Sequence, residues 1–370
     1  MQPSSTFRIA VFPGDGIGSE VMPPCLALLD RASRAVGGFA LHYDIAPAGA
    51  GCYRDTGEAL PASSMALARK ADAILLGAMG LPDVRQADGT EIAPQLDLRF
   101  ELGLYAGVRP VLSIPGIAAV LGDPRAAQLD FVLVRESTEG LFASRGRGTV
   151  EGDREARDTM VITRAGTARV VDYALRLARR RRASGRPGRL ACVDKANVFA
   201  SLAFFRKVFD ERARAFPDVA VEHLYVDATA LRMVQRPWDL DVLVTENMFG
   251  DILSDLGAGL MGGLGFAPSA DIGDEHAVFQ PCHGTAPDIA GMGRANPTAM
   301  FLSAAMMLEW LDERHGHAPC GRAAGLIRAA IGRAFRRGAL VPCERGGTAG
   351  TGPIAAAVVA EIESEASGAA

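Results

Sequence analysis

Short apolar runs separated by longer amphipathic stretches organise the chain. Arg8 to Phe12, Ala71 to Leu76, Phe131 to Val134, Leu190 to Val193 and Val242 to Val244 are rich in branched and aliphatic residues without polar alternation. Strands buried on both faces of a parallel sheet have that pattern. Thr167 to Arg182, Ala200 to Ala215 and Pro297 to Arg314 are predicted helices. For the last, Asn296 is the expected N-cap and Pro297 the first helical residue. At the front, Arg8 to Phe12 runs into Pro13-Gly14-Asp15-Gly16-Ile17-Gly18 and a helix from about Glu20. Strand, glycine loop and helix in this order predict an α/β fold. A GxGxxG fingerprint nearly fits, but Ser19 takes the place of the third glycine, so no Rossmann site is assigned there. No internal repeat is visible, and Glu365 to Ala370 are expected to fray.

Composition narrows the class. A chain of 370 residues predicts about two domains, and 49% hydrophobic content supports a large core. Thirty-nine basic residues against 43 acidic ones leave no global positive field for a nucleic-acid backbone. The basic run Arg179 to Arg182, continued at Arg186 and Arg189, is read as a helix C-terminus whose cations complement the dipole. Six scattered cysteines without a CxxC pair predict reduced thiols. With no signal-peptide pattern and no long apolar run, a cytoplasmic protein without membrane association is expected.

Candidate chemistry concentrates at a few places. In Val242 to Asp255, a strand leads through Thr245-Glu246-Asn247 into a helix that sets Asp251 and Asp255 at i and i+4. A divalent cation would relieve their repulsion, although acidic residues also favour the first turns of a helix. Asp227, expected to end another strand, is a possible third carboxylate. Lys195, at the end of the Leu190 to Val193 strand, is either a proton carrier or an ordinary exposed lysine. Arg99, Arg109 and Arg135 would suit a di-acid if they converge, and are surface ion pairs if they do not. Pro281 to Pro297 is rich in small residues that let a backbone approach a ligand. It has no GxxxxGK[ST] phosphate loop, but an acidic residue in it could accept from ribose hydroxyls.

These segments together resemble the isocitrate/isopropylmalate dehydrogenase family of β-decarboxylating dehydrogenases, which includes tartrate and D-malate dehydrogenases. The matching blocks run in order: FPGDGIGSEV (12–21), LDLR (96–99), GVRP (107–110), LVRESTEG (133–140), VDKAN (193–197), YVDA (225–228), TENMFGDILSDL (245–256), HGTAPDIAGMGRANPTA (283–299) and GTAGT (347–351). The resemblance implies a two-domain isopropylmalate dehydrogenase-like α/β fold with a cleft between the domains. Domain one would comprise 1–104 and 263–370, and domain two 105–262. It implies a homodimer formed through domain two, with an arm around Gly148 to Thr163. Active sites would be shared, Lys195 and Asp227 serving the neighbouring subunit's cleft. Arg99, Arg109 and Arg135 fall on the arginines that hold malate carboxylates, and Asp227, Asp251 and Asp255 on the Mg²⁺ or Mn²⁺ ligands. Lys195 would accept the hydroxyl proton. His283, Gly284, Thr285, Ala286, Pro287, Asp288, Ile289 and Asn296 would bind the adenosine end of the coenzyme, with Asp288-Ile289 matching the NAD-using pattern.

Departures from the family pattern qualify the transfer. Phe142 stands where the family has a catalytic tyrosine; either water or a nearby hydroxyl such as Ser144 substitutes as proton donor, or the substrate is oxidised and decarboxylation is slow or absent, the outcome expected here. Gln280 replaces the usual glutamate before the nucleotide loop. Gln95 and Leu96 stand where isopropylmalate enzymes have two leucines, and Ala93 where isocitrate enzymes have serine. The expected substrate is therefore a D-malate-type acid, polar tartrate or D-malate ahead of 3-isopropylmalate. The alternative is a non-catalytic regulatory subunit of a hetero-oligomeric member. A phosphorylated-substrate relative with histidine metal ligands is disfavoured by the aspartates.

Overall fold

The computed structural model describes residues 5–368, with side chains up to residue 365. Strands run at β1 (Ser5–Gly14), β2 (Phe39–Ile45), β3 (Ala73–Ala78), β4 (Ala106–Leu112), β5 (Asp130–Glu136), β6 (Thr149–Glu151), β7 (Glu155–Arg157), β8 (Arg189–Asp194), β9 (Ala220–Tyr225), β10 (Val242–Thr245), β11 (Pro268–Ile272) and β12 (Ala277–Pro281). Helices are α1 (Gly18–Val36), α2 (Ala50–Thr56), α3 (Ala62–Lys70), α4 (Pro94–Glu101), α5 (Arg164–Ala183), α6 (Ala200–Ala213), α7 (Val226–Gln235), α8 (Asn247–Met261), α9 (Thr298–His315), α10 (Ala318–Arg336) and α11 (Thr351–Gly368).

One sheet runs through the molecule in the order β2-β1-β3-β12-β11-β4-β5-β10-β8-β9. Its flanks are parallel, and the pairs β12–β11, β11–β4 and β4–β5 at the centre are antiparallel. One flank comes from both chain ends (β1 to β3, β11, β12) and the other from the middle of the chain. Along β1, Ile9 and Val11 enter one core layer while Ala10 and Phe12 enter another. Both faces are thus covered, which is why the run shows no polar alternation. Helix α9 is buried from Thr298 to Leu308 and packs against α1, α10, β11 and β12. Outside the main sheet, β6 and β7 pair as an exposed two-stranded ribbon.

The glycine loop after β1 is a packing junction. Gly14 has φ +75°, and a Cβ there would meet the Ala78 carbonyl oxygen at 1.9 Å. Buried Asp15 accepts from the N–H groups of Ala50 (2.7 Å), Gly51 (2.8 Å) and Gly80 (2.8 Å). The Ile17 N–H donates to the Thr285 carbonyl at 2.8 Å, tying this loop to the segment before α9.

Some expectations are corrected. Asp227 does not end a strand: β9 stops at Tyr225, and Asp227 lies in the first turn of α7, where the helix dipole favours an acid. Helix α9 begins at Thr298, one residue later than expected, yet Asn296 Oδ1 accepts from the Thr298 N–H at 3.1 Å and caps it. The fray expected from Glu365 is absent as far as residue 368, because α11 continues there and Glu365 pairs with Arg333 at 2.5 Å. Residues 369 and 370 lie outside the described residues. The basic run ends α5 as expected, with Arg179 on Asp218 and Arg181 on Asp130 and Asp241. All six cysteines are free. Among the described residues, no helix is long and apolar enough to cross a membrane.

Candidate active site

A cavity of about 260 Å³ opens on one face of the central antiparallel strands, and a larger one of about 550 Å³ lies on the other. Strand alternation divides the side chains between them. Arg109, Ser269 and Gln280 face the smaller cavity, while Val108, Ala270 and Phe279, each one residue away, face the larger.

The three arginines converge on the smaller cavity. Arg99 comes from α4, Arg109 from β4 and Arg135 from β5, and all are buried. Beneath them lies Asp271 of β11, which the sequence reading did not single out. Its Oδ2 accepts from Arg99 Nη2 at 3.2 Å and its Oδ1 from Arg109 Nη2 at 3.2 Å. Gln280 Nε2 also donates to Asp271, at 3.0 Å. Burial works against a charge on Asp271, but Arg99, Arg109 and Arg135 outweigh it and hold the carboxyl down at about 2. Arg109 spends Nη1 on the Ala270 and Val108 carbonyls (3.0 and 3.2 Å). Arg135 donates from Nε to Asn247 Oδ1 at 2.9 Å and pairs through Nη1 with Asp251. Arg99 Nε is buried without a partner.

Helix α8 brings Asp251 and Asp255 to the same cavity. Glu246 caps it, accepting from Phe249 N–H at 2.6 Å and Met248 N–H at 3.0 Å. Partial burial and then the charge of Asp251 push the Asp255 carboxyl above its ordinary range. The repulsion implied by the i, i+4 spacing is the second cause after burial and is partly offset by Arg135 and Arg109; the two carboxylates offer the hard oxygen donors that Mg²⁺ or Mn²⁺ prefers.

Lys195 and Asp227 lie elsewhere. Lys195 Nζ donates to Asp227 Oδ1 at 2.8 Å, and this bond holds the Asp227 carboxyl below its usual range. Neither residue lines the cavity. Within one chain the aspartates therefore form two separated sets, and among the described residues no cluster of three metal-ligating side chains occurs.

The proposed coenzyme loop borders the cavity at His283 and Gly284. His283 Nδ1 lies 2.9 Å from the Gly284 carbonyl oxygen, Nε2 is buried without a partner, and burial lowers the ring's pKa. Ala286 holds φ +37°, a strained conformation for a residue with a Cβ. Thr285 is buried, whereas Gly284, Pro287 and Asp288 are exposed and Ile289 is half-buried. Asn296 is committed to the α9 cap and to Glu344, to which its Nδ2 donates at 2.6 Å.

Gln95 and Phe142 also line the cavity. Gln95 Oε1 is buried and has no hydrogen-bond partner. The Phe142 ring lies with its centroid 5.0 Å from Arg135 Cζ. Ser144 does not fill the tyrosine's place: its hydroxyl donates to the Thr159 carbonyl and accepts from the Thr159 N–H at 3.0 Å, away from the cavity. Gln280 has a local reason to be an amide, since a carboxylate there would face Asp271.

A family model described as isocitrate/isopropylmalate dehydrogenase matches residues 8–341. The 3-isopropylmalate dehydrogenase of Moorella thermoacetica is 43% identical over 91% of this chain and 92% of that protein. The 3-isopropylmalate/3-methylmalate dehydrogenase of Methanocaldococcus jannaschii is 41% identical over 83% of this chain and 86% of its own length. Isocitrate dehydrogenase from Methylococcus capsulatus superposes with a TM-score of 0.82 at 35% identity, covering 96% of this chain and 99% of that one. A β-decarboxylating dehydrogenase from Thermococcus kodakarensis does so with a TM-score of 0.78 at 34% identity, covering 98% and 97%.

Proposed function

Because the chain belongs to the isocitrate/isopropylmalate dehydrogenase family and is a decarboxylating dehydrogenase of it, we propose that it oxidises a D-malate-type 2-hydroxy di-acid in the cytoplasm. It would use NAD⁺ and Mg²⁺ or Mn²⁺, and give a 2-oxo acid, NADH and CO₂. The convergence of three buried arginines with Asp251 and Asp255 on one cavity carries this reading. Arginine forks match carboxylates two bonds at a time, so Arg99, Arg109 and Arg135 would hold the two carboxylates of the substrate. Asp251 and Asp255, with Asp227 from a second copy, would hold the cation. When bound, the cation supplies Lewis acidity that lowers the pKa of the alcohol and steadies negative charge as CO₂ leaves. Lys195 of that second copy would take the hydroxyl proton at Nζ. Asp288, exposed on its loop, would accept from the 2′-hydroxyl of NAD⁺ and repel a 2′-phosphate.

A homodimer with shared sites is supported by what the middle of the chain leaves uncovered. Val150, Val198, Phe199, Leu231, Val234 and Ile252 are exposed apolar side chains, all within 105–262. That segment would be domain two, with 1–104 and 263–370 forming domain one and the β6–β7 ribbon serving as the arm. The presence of Lys195 and of the three metal-site aspartates, Asp227, Asp251 and Asp255, weakens the rival reading of a regulatory subunit. Gln95 favours a polar substituent at C3 of the substrate: its unpartnered Oε1 against an isopropyl group costs about 1–3 kcal/mol. Tartrate and D-malate should therefore outperform 3-isopropylmalate. NADH formation with tartrate, D-malate, 3-isopropylmalate and isocitrate, with Mn²⁺ and in excess chelator, tests the reading. Turnover of none of the four, or full rates in chelator, would overturn it, and 3-isopropylmalate as clearly the best substrate would overturn the assignment to Gln95.

A further inference from the structure

Asp271 is a buried carboxylate in the middle of a cluster of cations that the substrate itself is expected to neutralise. Its side chain is 3% exposed, against 7%, 8% and 5% for Arg99, Arg109 and Arg135. It does not line the cavity; it lies under Arg99 and Arg109 and bonds one nitrogen of each. Gln280 closes the third side with a neutral amide donor. The guanidinium groups cannot shed their charge, and neither can Asp271 at any pH near neutrality. Three fixed positive charges less one fixed negative charge leave two, which equals the charge of a fully ionised di-acid and falls one short of a tri-acid. The carboxylates of Asp251 and Asp255 stand unchanged beside this cluster in every variant compared below, so a charge altered at position 271 or 280 is read against a constant background.

We propose that Asp271 is a positioning residue that sets the charge of the acid-binding cavity, tuning it to a di-acid and against a tri-acid. It acts through Arg99 and Arg109, whose forks it also holds in place when no substrate is bound. The proposal rests on the reading of this cavity as a carboxylic-acid site, and its consequences differ from those of that reading. Asp271→Asn keeps the shape but removes the charge and one of the two acceptor oxygens, leaving the cluster one positive charge richer and one donor, on Arg109 or on Arg99 and Gln280, facing an amide NH₂. Gln280→Glu does the reverse, adding a negative charge beside Asp271 and removing the amide donor to it, while Asp271 keeps both of its arginine partners.

The test compares wild type, Asp271→Asn and Gln280→Glu. Two readouts are taken. One is the ratio of kcat/KM for isocitrate over D-malate. The other is the thermal stabilisation given by tricarballylate relative to succinate, neither of which has a hydroxyl to oxidise. In Asp271→Asn both ratios should rise, the kinetic one by about tenfold or more, since an unmatched charge beside buried groups is costly. In Gln280→Glu both should fall. A merely structural role cannot produce opposite signs, because damage to packing lowers both acids together. Ratios unchanged in both variants would overturn the proposal. If Asp271→Asn does not fold, an unchanged ratio in Gln280→Glu overturns it alone. If neither acid stabilises the wild type, the cavity is not an acid site, and the proposed function falls with this inference.

Discussion

Phe142 keeps an aromatic ring beside Arg135 but brings no proton to the cavity. The hydroxyl nearest in sequence, Ser144, is held by both backbone groups of Thr159. A general acid is typically worth about 10²–10⁴ in rate, so the step that needs one should be slow here. Hydride transfer is expected to outpace release of CO₂ in the wild type, and Phe142→Tyr should close the gap. Following NADH and CO₂ in the same reaction checks this; stoichiometric CO₂ without lag, and no gain in the tyrosine variant, would show that water suffices. Single positions of this kind were legible because a motif pointed to them: Arg99, Arg109, Arg135, Asp251 and Asp255 stand in recognisable blocks and do meet. Asp271 was not legible. It is one acid in a short apolar run, and its arginine partners are more than 160 residues away in the chain, so only the folded sheet reveals what it does.

Among the elements, α9 and α8 depend on their caps for opposite reasons. Glu246 caps α8 with a carboxylate that burial raises above its usual range, so the cap lies next to the cavity's own electrostatics. Asn296 caps α9, a helix buried along most of its length. Replacing Asn296 with Ala should cost about 1–2 kcal/mol, with the greater part from the cap and a further share from Glu344, which loses the Nδ2 donor. Urea unfolding measures this directly, and a loss below a few tenths of a kcal/mol would mean that Pro297 alone defines the helix start. The strands that were easy to read, such as β8 and β10, are plain aliphatic runs. Among those that escaped, β4 and β11 carry Arg109 and Asp271 among their apolar residues. Their alternation serves two cavities rather than core and solvent, so hydrophobic patterning alone does not mark them as strands. At β9 and α7 the apolar residues continue across the boundary, which is why Asp227 was read as a strand end.

At the scale of the whole molecule, one sheet joins both chain ends to the middle, an arrangement that local patterning could not reveal. The feature with the widest reach is the separation of Lys195 and Asp227 from the cavity that holds Asp251. If two chains complete each other, two inactive proteins can be combined into an active one. A Lys195→Met protein retains a good cavity and lacks the reaching lysine; an Asp251→Asn protein has the lysine and a spoiled cavity. Each homodimer is dead. Mixed in equal amounts and allowed to exchange subunits, half of the dimers are hybrids, and each hybrid has one intact site and one doubly damaged one. The mixture should recover about a quarter of the wild-type rate, rising as exchange proceeds and reaching its plateau when the partners are fully scrambled. A protein that keeps its whole site within one chain would stay silent however long the two were left together.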